Sequence, residues 1–205
     1  MSKAVALLEF ESVAVGVLAV DRMLKKAPVA LLRCGTIHPG RYLVLVGGTV
    51  ASTQEAHLEG LATGNASKVL ADEVMLADPH PFLVRALQGT REEPHADTVA
   101  VLEVSQSPAM LRILDAVLKA VPVQLDEVRL ADDLGGRAIA LLSGDLTDVQ
   151  EAVTLAGSRT GPKGEVIGAA IMSRLDDTLR AILTEGSHFA TCRNWQPEGA
   201  ESLED

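Results

Sequence analysis

The sequence repeats itself once. VALLEF at 5–10 recurs as VAVLEV at 99–104, an offset of 94 residues. At that offset Asp21, Leu24, Lys25, Pro28, Val29 and Leu31 meet Asp115, Leu118, Lys119, Pro122, Val123 and Leu125. The register then slips by two, so that Gly40-Arg41 meets Gly136-Arg137, Gly48 meets Gly144 and Gln54-Glu55-Ala56 meets Gln150-Glu151-Ala152. The second copy thus carries a two-residue insertion between Leu125 and Gly136. Each copy is too long for a solenoid unit and long enough for a small domain, so the repeat reads as duplication of a whole domain. The expected organisation is a first domain over 1–90, a second over 97–188 and an acidic tail over 194–205. The polar stretch 89–97 between them, with Pro94, reads as a linker.

Periodicity assigns the elements within a copy. Residues 5–10 form a short apolar strand, and 13–26 carry Val17, Val20 and Leu24 on one helical stripe with Asp21, Arg22, Lys25 and Lys26 away from it. Pro28 ends that helix. Strands at 29–37 and 41–46 flank the tight turn His38-Pro39-Gly40. A helix follows at 51–62, with Ser52 as cap and Glu55 as its capping-box partner. A fourth strand at 68–76 and a short helix at 81–88 close the unit. The order β-α-β-β-α-β-α is a split βαβ arrangement, repeated over 97–183, and the fold class is α+β with two tandem ferredoxin-like domains.

Composition narrows the function. Of 205 residues 47% are hydrophobic, but only 2% are aromatic, so the cores are built from Ala, Val, Leu and Ile. Few aromatics leave little material for base-stacking platforms or membrane belts. A net charge of −10 argues against nucleic acid and against an anionic membrane as partners. No apolar run approaches the roughly 20 residues of a membrane span, and Glu9 and Glu11 interrupt the apolar N-terminus. Two distant cysteines, Cys34 and Cys192, form no disulfide framework, which suits the cytoplasm. Walker and dinucleotide-binding glycine patterns are absent, as are H-E-x-x-H and C-x-x-C, so no enzyme is indicated. His188 and Cys192 have an i, i+4 spacing, read as accidental, and Cys34 on its strand is expected to be buried.

The run ALLEFESVAVGVLAVDRMLKKAPVALL and the hairpins TIHPGRYLVLVGG and LGGRAIALLSGDLTDVQEAV resemble bacterial microcompartment shell proteins of the tandem-domain type. The likeness covers both repeats. It implies a homotrimer whose six domains imitate a hexagonal tile, packed with other shell proteins into a shell that encloses enzymes and passes small solutes through a central pore. The family's tile-edge lysine matches Lys25 and, through the repeat, Lys119. A lysine at a helix end can lie along a neighbouring surface and donate to its carbonyls, or simply solvate a helix face.

In this family the turn between the second and third strands lines the pore. The matching residues are Ile37, His38, Pro39 and Gly40 in the first copy and Asp132, Asp133, Leu134 and Gly135 in the second. In the tandem proteins of propanediol-utilisation compartments a Cys at the position of His38 binds an iron–sulfur cluster. Imidazole is not the usual ligand for such clusters, so none is expected here. Two roles stay open for His38: three copies converging on an axial metal, which would allow a redox conduit through the shell, or an uncoordinated pore-lining imidazole. Asp132 and Asp133 would form a carboxylate ring that disfavours anions, offset by nearby Arg41 and Arg137, or would satisfy their own turn. Gly40, Gly135 and Gly136 suit positive φ and close approach of neighbouring copies. A third class, a soluble ligand-binding regulator of duplicated ferredoxin-like domains, would not form sheets.

Overall fold

Apolar alternation and helix signals turn into fourteen elements in the computed structural model, which describes residues 3–131, 134–159 and 165–186. The first copy contains β1 (Lys3–Phe10), α1 (Val13–Lys26), β2 (Ala30–Ile37), β3 (Arg41–Thr49), α2 (Val50–Ala66), β4 (Leu70–Ala77) and α3 (Pro81–Leu87). The second contains β5 (Thr98–Val104), α4 (Ser107–Ala120), β6 (Gln124–Leu130), β7 (Ala138–Gly144), α5 (Leu146–Ser158), β8 (Val166–Met172) and α6 (Asp177–Glu185). Each copy is one antiparallel sheet of four strands, in the order β2-β3-β1-β4 and β6-β7-β5-β8. The same bulge interrupts the edge pairing in both, between Leu31 and Arg33 and between Leu125 and Glu127. The duplication therefore extends to local irregularities.

Several local expectations are corrected. The cap of α2 is Thr49, whose hydroxyl accepts from the amide of Ser52 at 3.2 Å, because β3 runs on through Gly47 and Gly48 rather than stopping at 46. Ser52 instead lies in the first helical turn. Strand β4 starts two residues late, after Lys68 takes a positive φ of 56° to turn out of the helix. The segment 89–97 is also more than a spacer. Its Glu92 amide bonds the Asp126 carbonyl, the Glu93 carbonyl accepts from Gln124, and Arg180 donates to the carbonyls of Pro94 and Ala96. It straps the edge of the second sheet.

Strand alternation sends Ala6, Leu8 and Phe10 to a core under α1 and α2. Val5 and Leu7 point to the opposite face, where they join Leu83 and Leu87 of α3 and the core of the second copy. One continuous hydrophobic cluster thus runs through the junction of the repeats. Helix α4 packs on β4 and β1 of the first copy as well as on its own sheet. Arg112 of α4 donates to both carboxylate oxygens of Asp72 at 3.1 and 2.9 Å and to the carbonyl of Glu73. Among the described residues no helix is long and apolar enough to cross a membrane.

Candidate functional site

The two β-turns read as pore residues come together within one chain. In the first, β2 ends at Ile37, the His38–Pro39 peptide is cis, and Gly40 takes a φ of 69° before β3 starts at Arg41. Ile37 is half-buried, while His38, Pro39 and Gly40 are exposed. In the second, Ala131 takes a φ of 61°, Gly135 61° and Gly136 85°, and the turn closes through hydrogen bonds from Ala131 to Arg137 and from Arg137 to Leu134. Leu134 is half-buried and Gly135 exposed. Asp132 and Asp133 lie outside the described residues. A Cβ placed on Gly136 would meet the carbonyl oxygen of His38 at 3.2 Å, so the turns of the two copies abut. The close approach expected at these glycines is found at Gly136, from the other turn of the same chain, whereas Gly40 and Gly135 have open space beside them.

Both turns are anchored from beneath by a repeated ion pair. Arg41 donates to Glu9 at 2.7 Å, and Arg137 to Glu103 at 2.8 Å. Glu9 is fully buried, and burial raises its pKa despite the hydrogen bond and charge of Arg41; the Asp72 charge adds to the rise, and a backbone hydrogen bond from Ser107 opposes it. These arginines are thus tied down on β1 and β5. Sequence reading had placed them near the turns without seeing the glutamates that hold them.

The lysines read as edge residues occupy matching places. Lys25 Nζ lies 2.7 Å from Asp21, one helical turn back, and Lys119 Nζ lies 2.6 Å from Asp115. Each lysine is thus paired on its own helix face. Asp115 also accepts from the backbone amide of His80 at 2.8 Å, which joins the second copy to the start of α3 in the first. Sequence reading missed His80, although it sits in the capping position that Asp176 fills in the repeat. Its pKa is lowered by burial and by the Lys119 charge, with Asp115 opposing.

The residues present do not fit an iron–sulfur cluster. His38 presents an exposed imidazole, and Cys34 sits four residues back, half-buried rather than buried, with its Sγ 3.4 Å from the hydroxyl of Tyr42. Among the described residues no group of three His, Cys, Asp or Glu could hold a metal within one chain. The His188 and Cys192 pairing lies outside the described residues.

The BMC domain model matches residues 4–79 and again 98–175. The chain is 33% identical over 186 residues to the bacterial microcompartment shell protein PduT of Citrobacter freundii, covering 91% of this chain and 100% of that protein. It is 26% identical over 181 residues to the carboxysome assembly protein CcmO of Synechocystis sp., covering 82% of this chain and 60% of that protein. A crystal structure of a microcompartments protein from Desulfitobacterium hafniense superposes with a TM-score of 0.77 at 26% identity, over 88% of this chain and 99% of that one. With a domain match in each of its two sheets and a full-length relative in a shell, this chain belongs to the bacterial microcompartment shell proteins and carries two BMC domains in tandem.

Proposed function

We propose that the chain is a structural tile of a microcompartment shell in the bacterial cytoplasm, built as a head-to-tail homotrimer around a pore lined by the two turns. The observation that carries this reading is a mismatch in burial between equivalent positions. On α1, Val17 is 51% and Leu24 41% exposed, while their counterparts on α4, Leu111 and Leu118, are 0% and 6% exposed under the first copy. On the other side Leu83 of α3 is fully buried in the junction, whereas its counterpart Leu179 of α6 is 38% exposed. Each chain therefore presents, unpaired, both halves of the junction it already contains. Docking α6 and β8 of one chain on α1 of the next repeats that junction, and a heterologous contact of this kind closes into a ring. Six domains around the ring make three chains.

Three chains would place His38 and the second turn three times around one axis, with Ile37, Pro39, Gly40, Leu134 and Gly135 beside them and Asp132 and Asp133 on the second turn. Small solutes would pass there, with the exposed imidazole of His38 lining the opening. Lys25 and Lys119 would stand at the rim, where other shell proteins would meet the tile, and enzymes would be enclosed behind it. This role needs no catalytic group and no cofactor.

Native mass spectrometry with metal analysis of the same fraction tests the reading. A trimer without metal supports a tile whose His38 lines the pore. About one metal per three chains, lost in His38→Ala, would instead support an axial metal site. A stable monomer would overturn both.

A further inference from the structure

The strap that covers the edge of the second sheet has no counterpart on the edge of the first among the described residues. In both sheets that edge strand carries one bulged residue outside the pairing register, Leu32 on β2 and Asp126 on β6. The carbonyl of Asp126 accepts from the amide of Glu92, and its side chain accepts from Ser143, which in turn meets His95 of the strap. Leu125 and Asp126 are 2% and 1% exposed, whereas their equivalents Leu31 and Leu32 are 39% and 43% exposed. The first sheet leaves open the edge that the second keeps covered.

The two edges differ in chemistry as well as in exposure. Where the second sheet sets Asp126 beside Ser143, the first sets Leu32 over Gly47, whose added Cβ would meet Leu32 Cδ1 at 3.1 Å and Val5 Cγ1 at 3.6 Å. A polar strap suits the one edge and an apolar segment the other. The strap leaves the end of α3, and the repeat gives the same place after α6 to residues 187–193, Ser-His-Phe-Ala-Thr-Cys-Arg. These lie outside the described residues. They contain no carboxylate, whereas the strap has Glu92, Glu93 and Asp97, and they bring Phe189 in a chain that has only three Phe, one Tyr and one Trp.

We propose that residues 187–193 of one chain form the strap on β2 of the next, with the amide of His188 donating to the carbonyl of Leu32 and the ring of Phe189 packed on the Leu32 side chain. The inference rests on the head-to-tail ring, in which α6 takes beside the next chain's β2 the place that α3 has beside β6. An exposed strand edge that carries apolar side chains invites a further strand, and covering it removes a site of unwanted pairing. Each boundary between chains is then closed by the device that closes the boundary inside the chain, with an apolar anchor in place of a polar network.

Disulfide trapping in the full chain tests the placement. In protein carrying Cys34→Ala and Cys192→Ser, the pair Leu32→Cys with His188→Cys should link neighbouring chains on oxidation, giving covalent dimers and trimers in denaturing electrophoresis without reductant. Neither Leu32→Cys nor His188→Cys alone should do so. Phe189→Asp, which leaves both cores alone, should speed amide hydrogen exchange across Ala30–Ile37 tenfold or more at concentrations where native mass shows a trimer. A trimer without interchain disulfides, a disulfide confined to one chain, links formed by a single substitution, or unaltered exchange in Phe189→Asp would each overturn the strap and leave the tile reading intact. A monomeric parent would overturn both.

Discussion

Gly136 lies directly against the carbonyl of His38, and through that contact the turns of the two repeats fix each other's position. Two independent constraints act on this glycine. Its φ of 85° belongs to the region that L side chains avoid, and a Cβ there would sit 3.2 Å from a backbone oxygen that cannot swing aside.

Gly136→Ala is therefore expected to cost about 2 kcal/mol, the left-handed conformation and the backbone contact both contributing. Gly40→Ala shares the positive φ but has open space beside it, and should cost about 1 kcal/mol. Chemical denaturation of the two variants checks the order. Equal losses would mean that the carbonyl of His38 yields and that the turns are not rigidly coupled.

How far this was legible beforehand differs from element to element. Helix α1 was bounded correctly over Val13–Lys26, because Ser12 supplies a cap and Pro28 a stop. The cap of α2 was misread, because Ser52 and Glu55 mimic a capping box while the two glycines of β3 hide a strand that continues to Thr49. The lysine positions followed from the repeat, and their i, i+4 partners Asp21 and Asp115 were already among the aligned residues. The contact of Gly136 with His38 was out of reach, since nothing in a sequence states how one copy is rotated against the other. A cavity between the repeats, lined by Arg33 of one copy and Arg129 of the other, was hidden for the same reason.

Asp126 gives the chain a pH-dependent stability. It is buried on β6, accepting from Gln124 at 2.7 Å and from Ser143 at 2.9 Å, with His95 on the far side of Ser143 and Glu92 of the strap nearby. Burial pushes its pKa up to about 6, and the two hydrogen bonds and His95 only partly oppose this. A folded-state pKa above the usual carboxylate value means that the neutral form is favoured on folding. The stabilisation is complete below pH 4 and is lost as pH rises through 6, by about 3 kcal/mol at most. Asp126→Asn should flatten this part of the profile and be more stable than the parent at pH 8. Because the buried Glu9 carboxyl is shifted in the same direction, the difference between parent and variant is the quantity to measure. Parallel profiles between pH 4 and 8 would show that Asp126 titrates normally.

Arg112 and Asp72 form a polar lock on the internal junction that the repeat does not preserve. Their counterparts are Leu18 and Gly168, so the exposed halves of the junction are apolar where the internal one is charged. Asp72 is 1% exposed on its side chain, and removing its guanidinium partner leaves a buried carboxylate with a lost ion pair. Arg112→Leu should cost about 3 kcal/mol, and the double variant Arg112→Leu with Asp72→Ala clearly less, because no orphaned charge remains. Thermal unfolding of the single and double variants checks this. Strictly additive losses would show that the pair is not coupled.

The apolar halves lead to the prediction closest to function. Val17 on α1 and Leu179 on α6 are solvent-facing in a single chain, so a charge at either leaves the fold of that chain intact. In a head-to-tail ring each would be pressed into the junction that buries Leu111 and Leu83 inside the chain. An unpaired carboxylate in such a seam costs several kcal/mol, and a trimer incurs that cost at three seams at once. Val17→Asp and Leu179→Asp should each yield folded monomers by native mass spectrometry, with strand and helix signals retained in circular dichroism. Leu111→Asp, buried within the chain, should instead unfold it. The pair Val17→Asp with Leu179→Lys supplies a further discrimination. Opposite charges brought to the same seam should recover part of the trimer if the two surfaces face each other across the chain boundary, and should leave monomers if they belong to different contacts.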